Sequence, residues 1–225
     1  MSKKVVIVDY GVGNLLSVGR AFEHCGATVV MAEDASALIG ASRLVLPGVG
    51  AFGDCITALR MRGLDHAVLE HVAKGRPLLG ICVGMQMLLD ASEEFGHHAG
   101  LGIIPGMVSA IPQVDVDGRP LKVPHIGWSP LVLPEEGKVS WSGTPLASLK
   151  SGCAAYFVHS FYAQTAMNEH RLADAIYGGH RVTAAVRRGT VFGTQFHPEK
   201  SGPAGLAIIR NFLFESESGL RQIGK

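Results

Sequence analysis

Apolar and polar positions alternate along the first ninety residues in two rhythms. Short unbroken apolar runs at Lys4–Val8, Thr28–Ala32, Arg43–Leu46 and Pro77–Ile81 read as strands buried on both faces. Between the first two, Leu15, Leu16, Val18, Ala21, Phe22 and Cys25 recur at helical spacing, and Gly26 stands where a helix C-terminal glycine belongs. A second helical stretch runs from about Ala51 to Lys74, interrupted at Gly63. Strand, helix, strand, helix predicts a parallel sheet covered by helices.

From residue 100 the pattern changes. Strand-like segments at Met107–Ile111, Ala155–Phe161, Leu172–Ile176, Arg181–Arg187 and Thr190–Phe196 are separated by glycine and proline turns, and Arg188-Gly189 reads as a hairpin turn. A last helix, opened by Pro203, runs through Ile208, Ile209, Phe212 and Leu213. The predicted fold is α/β: an open mixed, mostly parallel sheet with flanking helices, plus antiparallel strands in the C-terminal half. The length, 225 residues, suits one domain over 1–214, with a polar tail over 215–225.

Composition adds exclusions. Twenty basic residues face 19 acidic ones and no run gathers five like charges, so neither nucleic acid nor an anionic membrane is an expected partner. Only five residues of apolar strand precede Asp9, too few for a signal-peptide core or a membrane span, so the expected location is cytoplasmic. In that reducing compartment Cys25, Cys55, Cys82 and Cys153 are expected as thiols, which leaves the question of whether one is reactive.

Cys82 is the candidate. In Gly80-Ile81-Cys82-Val83-Gly84 it stands between a strand and a helical Met87-Leu88-Leu89, with a glycine two residues to either side. A sharp turn of this kind forces backbones together, lifts the nucleophile above the sheet edge and sets it at a helix N-terminus that favours the thiolate. Downstream, His197 and Glu199 are two residues apart, so on extended backbone they share a face and the carboxylate can orient the imidazole as a base for the thiol. A third segment, Leu44 to Phe52, runs a strand into the glycine-rich Pro47-Gly48-Val49-Gly50. A backbone N–H from that loop, at Val49 or Gly50, and the N–H of Val83 could stabilise an oxyanion.

Other motifs fail. Gly11-Val12-Gly13-Asn14-Leu15-Leu16 has leucine where a dinucleotide fingerprint needs its third glycine, and no phosphate-binding P-loop motif occurs. His97-His98 and the His66, Glu70, His71 group lack metal-ligand spacing and are expected at the surface, so no metal is predicted. Cys25, Cys55 and Cys153 lack flanking glycines and are assigned to packing.

Six segments in order resemble the class I glutamine amidotransferases over nearly the whole chain: Asp9 to Leu15, Pro47 to Gly50, Gly80 to Gln86, Pro124 to Trp128, Tyr156 to Ser160, and Gln195 to Ser201. Within that family the likeness is nearest to the glutaminase subunits of imidazole glycerol phosphate synthase. The resemblance implies a Cys82, His197, Glu199 triad that hydrolyses L-glutamine without metal or organic cofactor. It implies glutamine held around Gly50 and His159, Ser160 and Phe161, with Gln86 assisting. It also implies a (β/α)₈-barrel cyclase partner that receives the ammonia, and Asn14, Trp128, Tyr156 and Lys200 are expected at or near that interface. Two departures stand out, Ser129 where relatives commonly carry Asn and Phe161 where they carry Tyr. The rival readings are another amidotransferase branch, a non-catalytic module of the same fold, and a cysteine hydrolase of similar architecture.

Overall fold

The computed structural model describes residues 3–38, 40–135 and 139–214, so the expected tail over 215–225 lies outside the described residues. Strand β1 (Lys3–Val8) leads into helix α1 (Leu15–His24), β2 (Ala27–Ala32), the single turn α2 (Ala35–Leu38), β3 (Leu44–Gly48), α3 (Phe52–Met61), α4 (Leu64–Ala73), β4 (Leu78–Cys82) and a one-turn α5 (Val83–Gln86). Then follow β5 (Ala91–Ser92), β6 (His98–Ala99), β7 (Gly106–Ala110), β8 (His125–Val132), β9 (Ala154–His159) and β10 (Phe161–Thr165). Strands β11 (Arg171–Tyr177), β12 (His180–Arg188) and β13 (Val191–Thr194) precede the last helix, α6 (Gly202–Phe214).

The main sheet has nine strands in the order β2-β1-β3-β4-β13-β12-β11-β8-β9. Its first five strands are mutually parallel and the remaining pairings antiparallel, so both halves expected from the sequence share one continuous sheet. β3 and β4 are buried at every position, which is why their sequences read as unbroken apolar runs rather than alternating ones. Flanking helices pack in two groups, α1 with α6 and α4 with α2 and α3. The Phe22 and Phe212 rings meet edge to face at 6.3 Å between α1 and α6, whereas Leu16 faces out of the α1 stripe. Gly63, at φ +64, separates α3 from α4 where the sequence placed the interruption. No helix among the described residues is long and apolar enough to cross a membrane.

Three local expectations are corrected. The helix after Cys82 does not continue through Met87, Leu88 and Leu89; it stops after one turn because the returning segment takes their carbonyls, with the N–H groups of Leu101, Gly102 and Ile103 donating to Met87, Leu89 and Leu88. The single strand expected over Ala155–Phe161 is two. His159 pairs with His125 in the main sheet, whereas Phe161 pairs with Ala110 in a second sheet of order β10-β7-β5-β6, so the chain changes sheets at Ser160. His71 is buried rather than at the surface, its Nε2 2.9 Å from the Pro77 carbonyl.

Candidate active site

Three neighbouring parallel strands end level at one edge, and each delivers part of the site. Gly48 of β3 is paired with Cys82 of β4, and Ile81 with Thr194 of β13, so the 47–50 loop, Cys82 and the segment from Gln195 to Glu199 leave the sheet side by side. Cys82 has φ 55 and ψ −115, a backbone region that a residue with a side chain occupies only at a cost of about 1–3 kcal/mol. Packing enforces it. A Cβ on Gly84 would sit 1.8 Å from the Leu46 carbonyl oxygen, one on Gly80 2.7 Å from the Gly84 oxygen, and one on Gly193 2.3 Å from Met85 Cγ. The elbow therefore needs these glycines for close approach. Because α5 is a single turn, the thiol gains less from helix-dipole support than a full helix would give.

His197 Nδ1 lies 2.8 Å from Glu199 Oε1, in a pair whose side chains are 5% and 1% exposed. The remaining ring nitrogen is left for the Cys82 thiol, which lines the same cleft as the imidazole. Burial alone would make His197 a weaker base; the favourable interactions of its cation with Cys82 and Glu199 outweigh that and push it up to about 9. The spacing of two acts differently from the expectation of shared extended backbone. Pro198 opens a 3₁₀ turn over Pro198–Lys200, and that turn folds Glu199 back against the ring. The backbone of His197 is pinned as well, its N–H donating to the Tyr156 carbonyl and its carbonyl accepting from Ser201 Oγ at 2.6 Å.

A histidine raised above its unfolded value of 6.5 contributes stability that is full below pH 6.5 and is lost as pH rises through about 9. The thermal unfolding midpoint is therefore expected to fall across that window, and the fall should shrink in His197→Asn. Calorimetry of both proteins over the same pH series checks this.

Cys82 and His197 open onto a cleft of about 260 Å³. Every residue expected to bind substrate or oxyanion lines it: Val49, Gly50, Val83 and Gln86, together with His159, Ser160 and Phe161. Glu199 lies behind His197 and does not line the cleft. Sequence reasoning missed three participants. Glu94 lines the cleft as a carboxylate, its Oε2 accepting the Phe52 N–H at 2.6 Å. Gln195, fully buried, accepts from Gln86 at 3.0 Å and places its Nε2 3.8 Å from Cys82 Sγ. His125 completes a buried chain that carries a definite sequence of protons. Burial holds His125 down to about 4 and His159 down to about 3, so both rings are neutral with one N–H each. His159 Nδ1 donates to the Phe161 carbonyl at 2.9 Å, which obliges its Nε2 to accept from His125 Nδ1 at 3.2 Å and His125 Nε2 to accept from Ser129 Oγ at 2.9 Å. Ser129, in a segment that the resemblance assigns to the interface, thus points inward. Gln86 Nε2 donates to the same Phe161 carbonyl at 2.9 Å, so the segment holding one wall of the cleft is tied from both sides.

The four expected interface residues lie on elements that adjoin this site, Trp128 and Lys200 exposed and Asn14 and Tyr156 partly buried. Trp128 is 57% exposed, and its ring meets that of its cross-strand partner Tyr156 at 5.9 Å. Ile126 and Val158, the cross-strand pair two residues along β8 and β9, are exposed too, which makes this end of the two strands apolar. Lys200 is exposed on the 3₁₀ turn that packs against β9 and α1, and Asn14 immediately precedes α1.

Residues 6–216 match the family described as glutamine amidotransferase class-I. The chain is 47% identical over 209 residues to imidazole glycerol phosphate synthase subunit HisH 1 of Legionella pneumophila (strain Lens), covering 93% of this chain and 98% of that protein. It is 46% identical to subunit HisH of Syntrophotalea carbinolica, covering 92% and 98%. A solved structure described as a glutamine amidotransferase superimposes with TM-score 0.68 at 20% identity, covering 92% of this chain and 96% of that one. The structure of PurLQS from Thermotoga maritima gives TM-score 0.67 at 19% identity over 95% and 98%. Both solved structures share the fold.

Proposed function

Since the chain belongs to the class-I glutamine amidotransferases, in the branch of HisH subunits of imidazole glycerol phosphate synthase, we propose that its cleft is where L-glutamine is split and that Cys82 is the nucleophile. Glutamine hydrolysis to glutamate and ammonia, in the service of histidine biosynthesis, is the function of this branch and of this chain. The observation that carries the site assignment is that Cys82 and a buried imidazole, His197, itself 2.8 Å from Glu199, line the same cleft.

In this reading His197 takes the thiol proton, and Cys82 Sγ adds to the side-chain carbonyl carbon of glutamine. Charge develops on the carbonyl oxygen and is met by backbone N–H groups of the 49–50 loop and of Val83. His197 then gives its proton to the departing ammonia, leaving a glutamyl thioester, and activates the water that releases glutamate and restores the thiol. Glu199 holds one tautomer and stabilises the imidazolium throughout. Gly50, Gln86, His159, Ser160 and Phe161 shape the pocket for the rest of the substrate.

Glu94 supplies what a pocket for an α-amino acid needs, a carboxylate for the ammonium group. A charge-assisted hydrogen bond to that group strengthens binding in ground state and transition state alike, so Glu94→Gln is expected to raise KM about 10-fold or more and leave kcat within about threefold. Steady-state hydrolysis rates across a glutamine series test this.

Ammonia released into open water at neutral pH is mostly protonated and no longer nucleophilic. Delivery through a dry passage into a docked synthase partner prevents that loss, and the partner is the (β/α)₈-barrel cyclase. Its footprint is the surface carrying Asn14, Trp128, Tyr156 and Lys200, in a cytoplasmic heterodimer built on one domain over residues 1–214. The test of the whole reading is alkylation by a glutamine-analogue diazoketone with the partner present, followed by peptide mapping. Label on Cys82 alone is the expected result; label on another cysteine, or none, refutes it.

A further inference from the structure

Behind the 47–50 loop, two buried side chains grip its carbonyls. The Tyr10 hydroxyl donates to the Pro47 carbonyl at 2.7 Å, and the Cys55 thiol donates to the Val49 carbonyl at 3.3 Å. Tyr10 is 1% exposed and Cys55 fully buried, and the two groups are close enough to influence each other's ionisation. Burial pushes the Cys55 thiol up to about 11 and raises the Tyr10 phenol further, so both stay protonated donors at neutral pH. This gives Cys55, assigned to packing from its sequence context, a polar task.

A trans peptide holds its C=O and N–H on opposite edges of one plane. Directing the Val49 oxygen toward the buried thiol therefore turns the Gly50 N–H the other way, toward the side on which Val49 and Gly50 line the cleft. Gly50 itself sets no preference: it has φ +91, nothing stands within 4 Å of where its Cβ would be, and glycine is as free at positive as at negative φ. The orientation of that peptide has to come from its neighbours.

We propose that Cys55, with Tyr10 beside it, is a positioning residue that holds the 48–50 backbone so that an N–H faces the oxyanion formed during glutamine hydrolysis. The inference deepens the glutaminase reading and rests on it. Losing the grip leaves substrate binding intact and costs only the stabilisation that appears in the transition state.

The test uses the full-length chain assembled with its cyclase partner and compares Cys55→Ala, Cys55→Ser and Tyr10→Phe with the parental protein. Two rates are measured, glutamine hydrolysis and alkylation of Cys82 by iodoacetamide, a displacement at a methylene carbon that needs no oxyanion donor. Cys55→Ala and Tyr10→Phe are expected to lower kcat about 10-fold with KM within about twofold. Cys55→Ser, whose hydroxyl can donate to the same carbonyl, should return kcat to within about threefold of the parental value. Alkylation should be unchanged in all three. A parental kcat in Cys55→Ala, equal losses in the alanine and serine variants, or a parallel fall in alkylation would overturn the proposal. A parental complex that hydrolyses no glutamine would overturn the glutaminase reading and this proposal with it, whereas a normal parental rate beside an unresponsive Cys55→Ala overturns this proposal alone.

Discussion

Cys82→Ala is expected to lower glutamine-dependent synthesis by about 10⁴-fold or more while synthesis from added ammonium salt stays within about twofold of the parental rate. The size of the first effect follows from covalent catalysis: without sulfur no thioester forms, and His197 and Glu199 are left aimed at a methyl group. The second follows from the small volume removed. Cys82 is 4% exposed and its neighbours are held by backbone pairing rather than by its side chain, so the elbow and the docking surface should survive. Measuring both ammonia sources on one preparation separates these roles. Equal loss of the two activities would show that Cys82 serves assembly instead.

Gly84→Ala should be the most damaging single methyl group that can be added near the site. The new carbon would stand 1.8 Å from the Leu46 carbonyl oxygen and 2.8 Å from its carbon, both backbone atoms of β3, which is held between β1 and β4. No rotamer change relieves a clash with backbone in the centre of a sheet. A destabilisation of about 3 kcal/mol or more is expected, together with loss of glutaminase activity as the elbow shifts. Gly189→Ala is the control for backbone cost without a clash: unlike Gly84 it lies at positive φ, +58, and its Cβ would meet nothing within 4 Å. There only the left-handed backbone cost of about 1–2 kcal/mol applies. Denaturant unfolding of the two variants that gave equal losses would refute close approach as the reason for Gly84.

The parts of the molecule legible in the sequence are those whose cause is local. Buried parallel strands announce themselves as apolar runs, α1 as a 3.6-residue stripe, and the elbow as glycines at fixed offsets from Cys82. His197 and Glu199 are visible through their spacing, although a 3₁₀ turn rather than extended backbone brings them together. What the sequence hid is decided by residues far along the chain. The stop after α5 depends on carbonyl capture by residues 101–103, and the change of sheet at Ser160 on two different partner strands. Two-residue strands such as β5 and β6 have no periodicity to read. Glu94 carries no signal beyond being one of two adjacent glutamates, and Gln195 became a neighbour of Cys82 only through the pairing of β13 with β4.

The position of β13 also dictates when the molecule can finish folding. Until residues 191–194 exist, β4 has β3 on one side and an unsatisfied ladder on the other, although Leu78, Leu79 and Ile81 are among the least water-exposed residues of the native chain. On the ribosome that edge waits through more than a hundred further residues, sticky and available to other strands. The same late insertion that seals it carries in His197 and Glu199. A nascent or truncated chain therefore cannot waste glutamine, and premature termination upstream of β13 should yield an insoluble product rather than an unregulated enzyme.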